Sequence, residues 1–129
     1  MAEPFIFINT YGIKPGKADA YREKFGEVAE IVEAKEPRML YFAHHESEDG
    51  SKGATVQVHS DPDNMAFHMQ LIEDDIRQAA ELLDFSSLEI RIYGSPSEAV
   101  LDQMRQLAGS GMSVTVSPAA VGFNRFPQT

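Results

Sequence analysis

Two polar side chains stand where chemistry could be done. Asn9 interrupts an apolar strand face made by Phe5, Phe7 and Tyr11. A buried amide there needs a hydrogen-bond partner, so it either holds a ligand oxygen or satisfies nearby backbone. His68 lies early in a helix, close to its apolar stripe. Its ordinary pKa near neutrality suits proton exchange, although a half-buried structural histidine would look the same. Three more histidines raise the question of a metal. His44 and His45 are adjacent on an expected strand, so they point to opposite faces and cannot readily share an ion. Either could pair with His59 on the neighbouring strand, but no carboxylate-rich motif supports a site, and a solvated hairpin is the preferred reading. Tyr11, Tyr41 and Arg91 are further cavity-lining candidates; Arg91 could instead pair with Glu89 or a partner's carboxylate. Cysteine is absent, which removes thiolate catalysis, disulfides and Cys-based metal sites.

The elements that must position these groups follow from periodicity. Pro4 to Ile13 is rich in Phe, Ile, Tyr and Thr and reads as a strand. Both of its faces are largely apolar, so both should be covered. Ala18, Tyr21, Phe25, Val28 and Val32 have helical spacing, which predicts a helix over about 17–34, ended by Glu36-Pro37. Met39 to Glu46 and Ala54 to His59 read as an antiparallel pair around the Asp-Gly turn at 47–53. Ala54, Val56 and Val58 take one face; Thr55, Gln57 and His59 take the other, expected to lie away from the helices. Ser60-Asp61-Pro62 starts a second helix, whose stripe is Met65, Met69, Ile72, Ile76, Ala79 and Leu83, with a possible break near Glu73-Asp74-Asp75. Leu88 to Tyr93 is the fourth strand. A third helical segment over about 97–108 ends at Gly109-Ser110-Gly111, a short strand covers Met112 to Val116, and the stretch to Thr129 reads as loose.

The order β-α-β-β-α-β predicts an α+β, ferredoxin-like fold with both helices on one face of an antiparallel sheet, plus a C-terminal helix and short strand. One domain is expected over 1–129, its core about 4–94 and its extension 95–129. One helical layer leaves an apolar sheet face bare, so a dimeric α+β barrel is expected. The tail strand would cap the sheet edge or pair with the partner.

A resemblance sharpens this. The first strand runs into Ile13-Lys14-Pro15-Gly16-Lys17, and Glu36-Pro37 leads into Met39-Leu40-Tyr41-Phe42. After the third strand comes Asp61-Pro62-Asp63-Asn64-Met65-Ala66-Phe67-His68. With these motifs in this order, the chain resembles the antibiotic biosynthesis monooxygenase family of the dimeric α+β barrels over roughly residues 4 to 94, although Arg38 stands where a Gly is usual. The resemblance implies oxidation of a small aromatic quinol or phenol by molecular oxygen, with no metal or flavin, in a homodimer. Asn9 would orient substrate and oxygen, and His68 would transfer a proton. Phe7, Tyr11, Phe42, Phe67 and Met69 would line the substrate pocket, although ordinary core packing also explains the Phe and Met residues. Haem degradation, known in the same superfamily, pairs Asn and His with a Trp that this sequence lacks. The rival reading is a non-catalytic ligand-binding or stress-related barrel dimer. It gains if Asn9 and His68 do not open on one cavity.

Charge and composition set outer bounds. A formal net charge of -9 disfavours nucleic acid and anionic membranes as partners. Met1-Ala2-Glu3-Pro4 lacks the basic and apolar regions of a secretory signal, so a cytoplasmic location is expected.

Overall fold

A computed structural model describes residues 4–109 and 111–126. Met1, Ala2, Glu3, Ser110 and the last three residues of the expected loose tail lie outside it. Nine elements follow one another: β1 (Phe5–Ile13), α1 (Ala18–Lys35), β2 (Met39–Glu46), β3 (Lys52–His59), α2 (Asn64–Leu71), α3 (Glu73–Ala80), β4 (Leu83–Tyr93), α4 (Glu98–Gly109) and β5 (Ser113–Ser117). The strands make one sheet in the order β2-β3-β1-β4-β5. The first four are antiparallel neighbours, the ferredoxin-like arrangement expected. The fifth makes the sheet mixed. β5 runs parallel to β4, because α4 carries the chain back across the sheet before it pairs. It therefore caps its own chain's β4 edge.

The inner face of β1 is set by alternation: Phe5, Phe7, Tyr11 and Ile13 are buried. Phe5, Phe7, Ile90 and Ile92 pack against Met65 of α2 and Val100 and Met104 of α4. Val28 and Val32 of α1 pack with Ile72, and Met39 and Phe42 lie against them. The helices thus share one side of the sheet. Among the described residues no helix is long and apolar enough to cross a membrane.

Three boundaries differ from the sequence reading. The second helix begins at Asn64, because the Asp61 carboxylate accepts the amides of Asp63 and Asn64, each at 3.0 Å, and holds the preceding turn. The expected break falls at Ile72, and Glu73, Asp74 and Asp75 occupy the first turn of α3, where the helix dipole favours acidic groups. The fourth strand starts at Leu83 and not Leu88. Asp84, Ser86 and Ser87 hid it, and the pairing of β1 with β4 shifts register between Thr10 and Gly12.

The faces of β3 are also the reverse of the expectation. Gln57 pairs with Phe7 and Thr55 with Asn9, so Thr55, Gln57 and His59 point under the helices. Ala54, Val56 and Val58 lie on the open face with Ile6 and Ile8. Polar side chains ordinarily face water, but here Thr55 and Gln57 line a cavity and His59 is buried.

Candidate active site

That cavity lies between sheet and helices and encloses about 280 Å³. Phe7, Asn9 and Tyr11 of β1, Phe42 of β2 and Thr55 and Gln57 of β3 form its floor. Tyr21, Phe25 and Val28 of α1, and Met65, His68 and Met69 of α2, form its walls. Ile76 and Ala79 of α3, Phe85 and Leu88 of β4 and Met104 of α4 complete it. The volume is near the lower end for small-molecule pockets, and the lining is mostly apolar with a few convergent polar groups.

Asn9 and His68 open on this one cavity. The Asn9 Oδ1 and His68 Nε2 atoms are buried without a hydrogen-bond partner, a state shared among the described residues by Asn64 Oδ1. Buried polar atoms ordinarily have partners, so two orphans on residues that line one cavity mark a place that a ligand can satisfy.

The other ring nitrogen of His68 is held. His68 Nδ1 lies 2.7 Å from Glu36 Oε2, and both side chains are fully buried. A carboxylate only accepts, so Nδ1 carries the proton and donates it to Glu36. The ring then leaves a lone pair at Nε2, which has no partner. This is the base–orienter pairing in which a carboxylate fixes the tautomer of a histidine and stabilises the imidazolium that forms. The local sequence explains how Glu36 arrives there. Pro37 stops α1, the Glu36 amide caps it by bonding Val32 O at 2.8 Å, and its side chain turns inward toward α2.

Supporting groups fix the dyad. Phe42 meets the His68 ring edge-on, with centroids 5.2 Å apart. His59 accepts from Asn64 Nδ2 at 3.0 Å through Nδ1 and donates through Nε2 to Gln57 Oε1 at 2.9 Å. Its ring stacks on Phe5. Burial, with the nearby His68 adding to it, holds the His59 pKa down at about 3. An unfolded histidine titrates near ~6.5, so stability tied to neutral His59 is complete above that pH and is lost as pH falls toward 3. Between about pH 6.5 and 4.5 the loss should reach ~2–3 kcal/mol. Urea unfolding at the two pH values measures it, and a His59→Gln variant should show a loss smaller by that amount. An equal loss in both proteins would contradict the assignment.

The other candidates fall into two groups. Phe7, Tyr11, Phe42 and Met69 line the cavity with Asn9 and His68. Phe67 does not; it is 42% exposed. Met65, His68 and Met69, at three- and four-residue spacing, take the inward face of α2 and leave Phe67 on its outer side. Tyr41 lies outside the cavity and bonds His45 Nε2 at 3.0 Å, while Arg91 pairs with Glu89 on the open face. His44 pairs across the sheet with Thr55, His45 with Ala54 and His59 with Met39, so neither of the first two faces His59 directly.

Sequence reasoning missed Glu36, Gln57, Thr55 and Tyr21. Gln57 and Thr55 were detectable from alternation, since they share the face of His59. Glu36 gave no signal beyond its place at a helix end.

No protein-family model matches the chain, and no curated protein matches it. Solved structures do. MupZ from Pseudomonas fluorescens superimposes with a TM-score of 0.75 at 19% identity, covering 96% of this chain and 96% of that one. A Caulobacter crescentus protein named as a candidate antibiotic biosynthesis monooxygenase gives 0.64 at 16% identity, over 70% of this chain and 88% of its own. SnoaB, a cofactor-independent oxygenase from Streptomyces nogalater, gives 0.61 at 14% identity, over 74% of this chain and 96% of its own. This chain has the antibiotic biosynthesis monooxygenase fold. The match with MupZ extends through the α4–β5 extension, whereas the other two cover a shorter part of the chain.

Proposed function

We propose that the protein is a cofactor-independent monooxygenase that oxidises a small aromatic phenol or quinol with molecular oxygen. One observation carries the reading: a carboxylate-oriented histidine and an unpartnered asparagine open together on a single apolar cavity. The aromatic walls from Phe7, Tyr21, Phe25 and Phe42 suit a flat ring. A purely binding barrel needs no base in this position.

The chemistry follows from those groups. His68 Nε2 takes the phenolic proton, and Glu36 stabilises the imidazolium. The phenolate is electron-rich and passes one electron to dioxygen. Superoxide then joins the ring radical at the carbon para to the oxygen, and His68 returns its proton to the peroxide. Loss of the ring hydrogen with O–O cleavage leaves a second carbonyl. One oxygen atom stays on the ring; the other leaves as water with the two hydrogens. Asn9 supports this by hydrogen bonding the substrate oxygen or the reduced oxygen species. Expelling water keeps these interactions strong. Oxygen uptake with a panel of naphthols, hydroquinones and anthrones tests the proposal. Uptake with quinone formation well above the uncatalysed rate is expected for part of the panel, and background rates throughout would remove it.

The working unit is proposed to be a homodimer. Ile6, Ile8, Ala43, Val56 and Tyr93 share the sheet face that the helices leave bare, and pairing it with its twin closes a barrel. Sedimentation at micromolar concentration should give a dimer, and Ile8→Lys, at the centre of that face, should shift it to monomer. A wild-type monomer would refute this.

A further inference from the structure

The cavity has a second polar pole that the reaction above leaves idle. Tyr21 Oη donates to Tyr11 Oη at 3.1 Å. Tyr11 Oη lies 2.8 Å from His44 Nδ1 and 2.8 Å from Thr55 Oγ1. His44 Nε2 lies 3.1 Å from Glu46 Oε2. Arg22 holds Glu46 through Nη2 at 2.6 Å and Nε at 3.2 Å, and itself bonds Asp19. The Tyr11 and Tyr21 residues are 3% and 5% exposed and the His44 side chain 4%, whereas the Glu46 side chain is 20% exposed. Only the outer end of the chain meets water.

Donor accounting fixes its direction. Glu46 as a carboxylate accepts, so His44 carries its proton on Nε2 and offers a lone pair at Nδ1. Tyr11 therefore donates to His44, and its own lone pairs take Tyr21 and Thr55. Every O–H and N–H along the line points outward. The Tyr21 oxygen keeps its lone pairs for the cavity that its ring lines. Burial holds His44 below the ordinary histidine range, which keeps Nδ1 free to accept. The packing is built for this arrangement. Gly53 lies opposite Tyr11, and a Cβ there would come within 2.6 Å of Tyr11 Cε1 and 2.7 Å of His44 Cε1.

We propose that Tyr21, Tyr11, His44 and Glu46 form a proton wire from the cavity to solvent, a second acid–base station remote from the His68–Glu36 dyad. In one passage Tyr21 Oη takes a proton from a hydroxyl in the cavity and gives its own to Tyr11. Tyr11 gives its proton to His44 Nδ1, and His44 gives the Nε2 proton to Glu46, which releases it to water. Only O–H and N–H bonds change, and each tyrosine and the histidine stay neutral. The inference rests on the cavity being a phenol site. A quinol carries a second hydroxyl, and the wire exchanges that proton with solvent while His68 serves the first.

The test uses 4-nitrophenol, whose absorbance reports its own protonation. Bound to the intact protein and pH-jumped in a stopped-flow instrument at saturating protein, it should re-equilibrate fast. Tyr11→Phe keeps the ring and breaks the wire; Glu46→Gln removes the acceptor at the surface. Each should slow the absorbance change at least about tenfold, and for Glu46→Gln, which does not line the cavity, the dissociation constant should stay within about twofold. An unchanged rate in either variant overturns the wire. Failure of wild type to bind 4-nitrophenol overturns it together with the phenol-site reading. Slowed variants with no oxygen uptake on any quinol would leave the wire standing and remove the monooxygenase reading alone.

Discussion

A His68→Gln variant is expected to keep its affinity for an aromatic substrate and to lose about 100- to 10,000-fold in kcat, the range for removing a positioned general base. Glutamine is the informative replacement. Its amide can still donate to Glu36, so the buried carboxylate keeps a partner and the fold is undisturbed. What disappears is the lone pair at Nε2, an atom without a partner on a residue that lines the cavity. A loss confined to kcat marks a group that acts in the transition state; a loss confined to KM would mark simple binding. Steady-state oxygen uptake with the best phenol of the panel separates the two. A kcat within about threefold of wild type would contradict the role given to His68.

His68→Leu should behave quite differently. Leucine keeps much of the volume but leaves the Glu36 carboxylate buried with no charge-assisted donor. The other group near it is Asn64 Nδ2, at 3.5 Å and already engaged by His59. Breaking such a buried pair from one side costs about 3–5 kcal/mol, a large part of the ~5–15 kcal/mol that holds a domain folded. Removing the second partner should reverse most of it. His68→Leu/Glu36→Met replaces the pair with apolar side chains of similar size, and such replacements are often neutral. Urea titrations of the single and double variants give the coupling directly. If the double variant is no more stable than His68→Leu alone, Glu36 is not an ionised partner of His68.

These two expectations depend on a pair of which only half was legible in the sequence. His68 stood out because a histidine beside an apolar helical stripe is conspicuous. Glu36 did not, because an acidic residue before a proline is the ordinary way for a helix to end. Their meeting is a tertiary event. It needs α1 to stop at Pro37 and α2 to start at Asn64, and no local pattern encodes that coincidence. The fold was more legible. Period-two alternation in PFIFINTYGI and period-3.6 spacing from Ala18 to Val32 are strong signals, and they fixed β1 and α1 to within a residue or so. β3 failed in an instructive way. Its period-two alternation is plain, but alternation alone does not say which row faces the helices, and a polar row reads as solvated. A cavity inverts that rule, since Thr55, Gln57 and His59 find partners inside. The parallel β5 was also beyond local reading, because strand direction depends on where α4 returns the chain.

The central claim is that one atom of dioxygen enters the aromatic ring while the other becomes water. Turnover of the best phenol under ¹⁸O₂ in unlabelled water, with the product examined by mass spectrometry, tests it most directly. A quinone carrying one ¹⁸O atom is expected. A quinone without label, or no quinone beyond the uncatalysed amount, would contradict it.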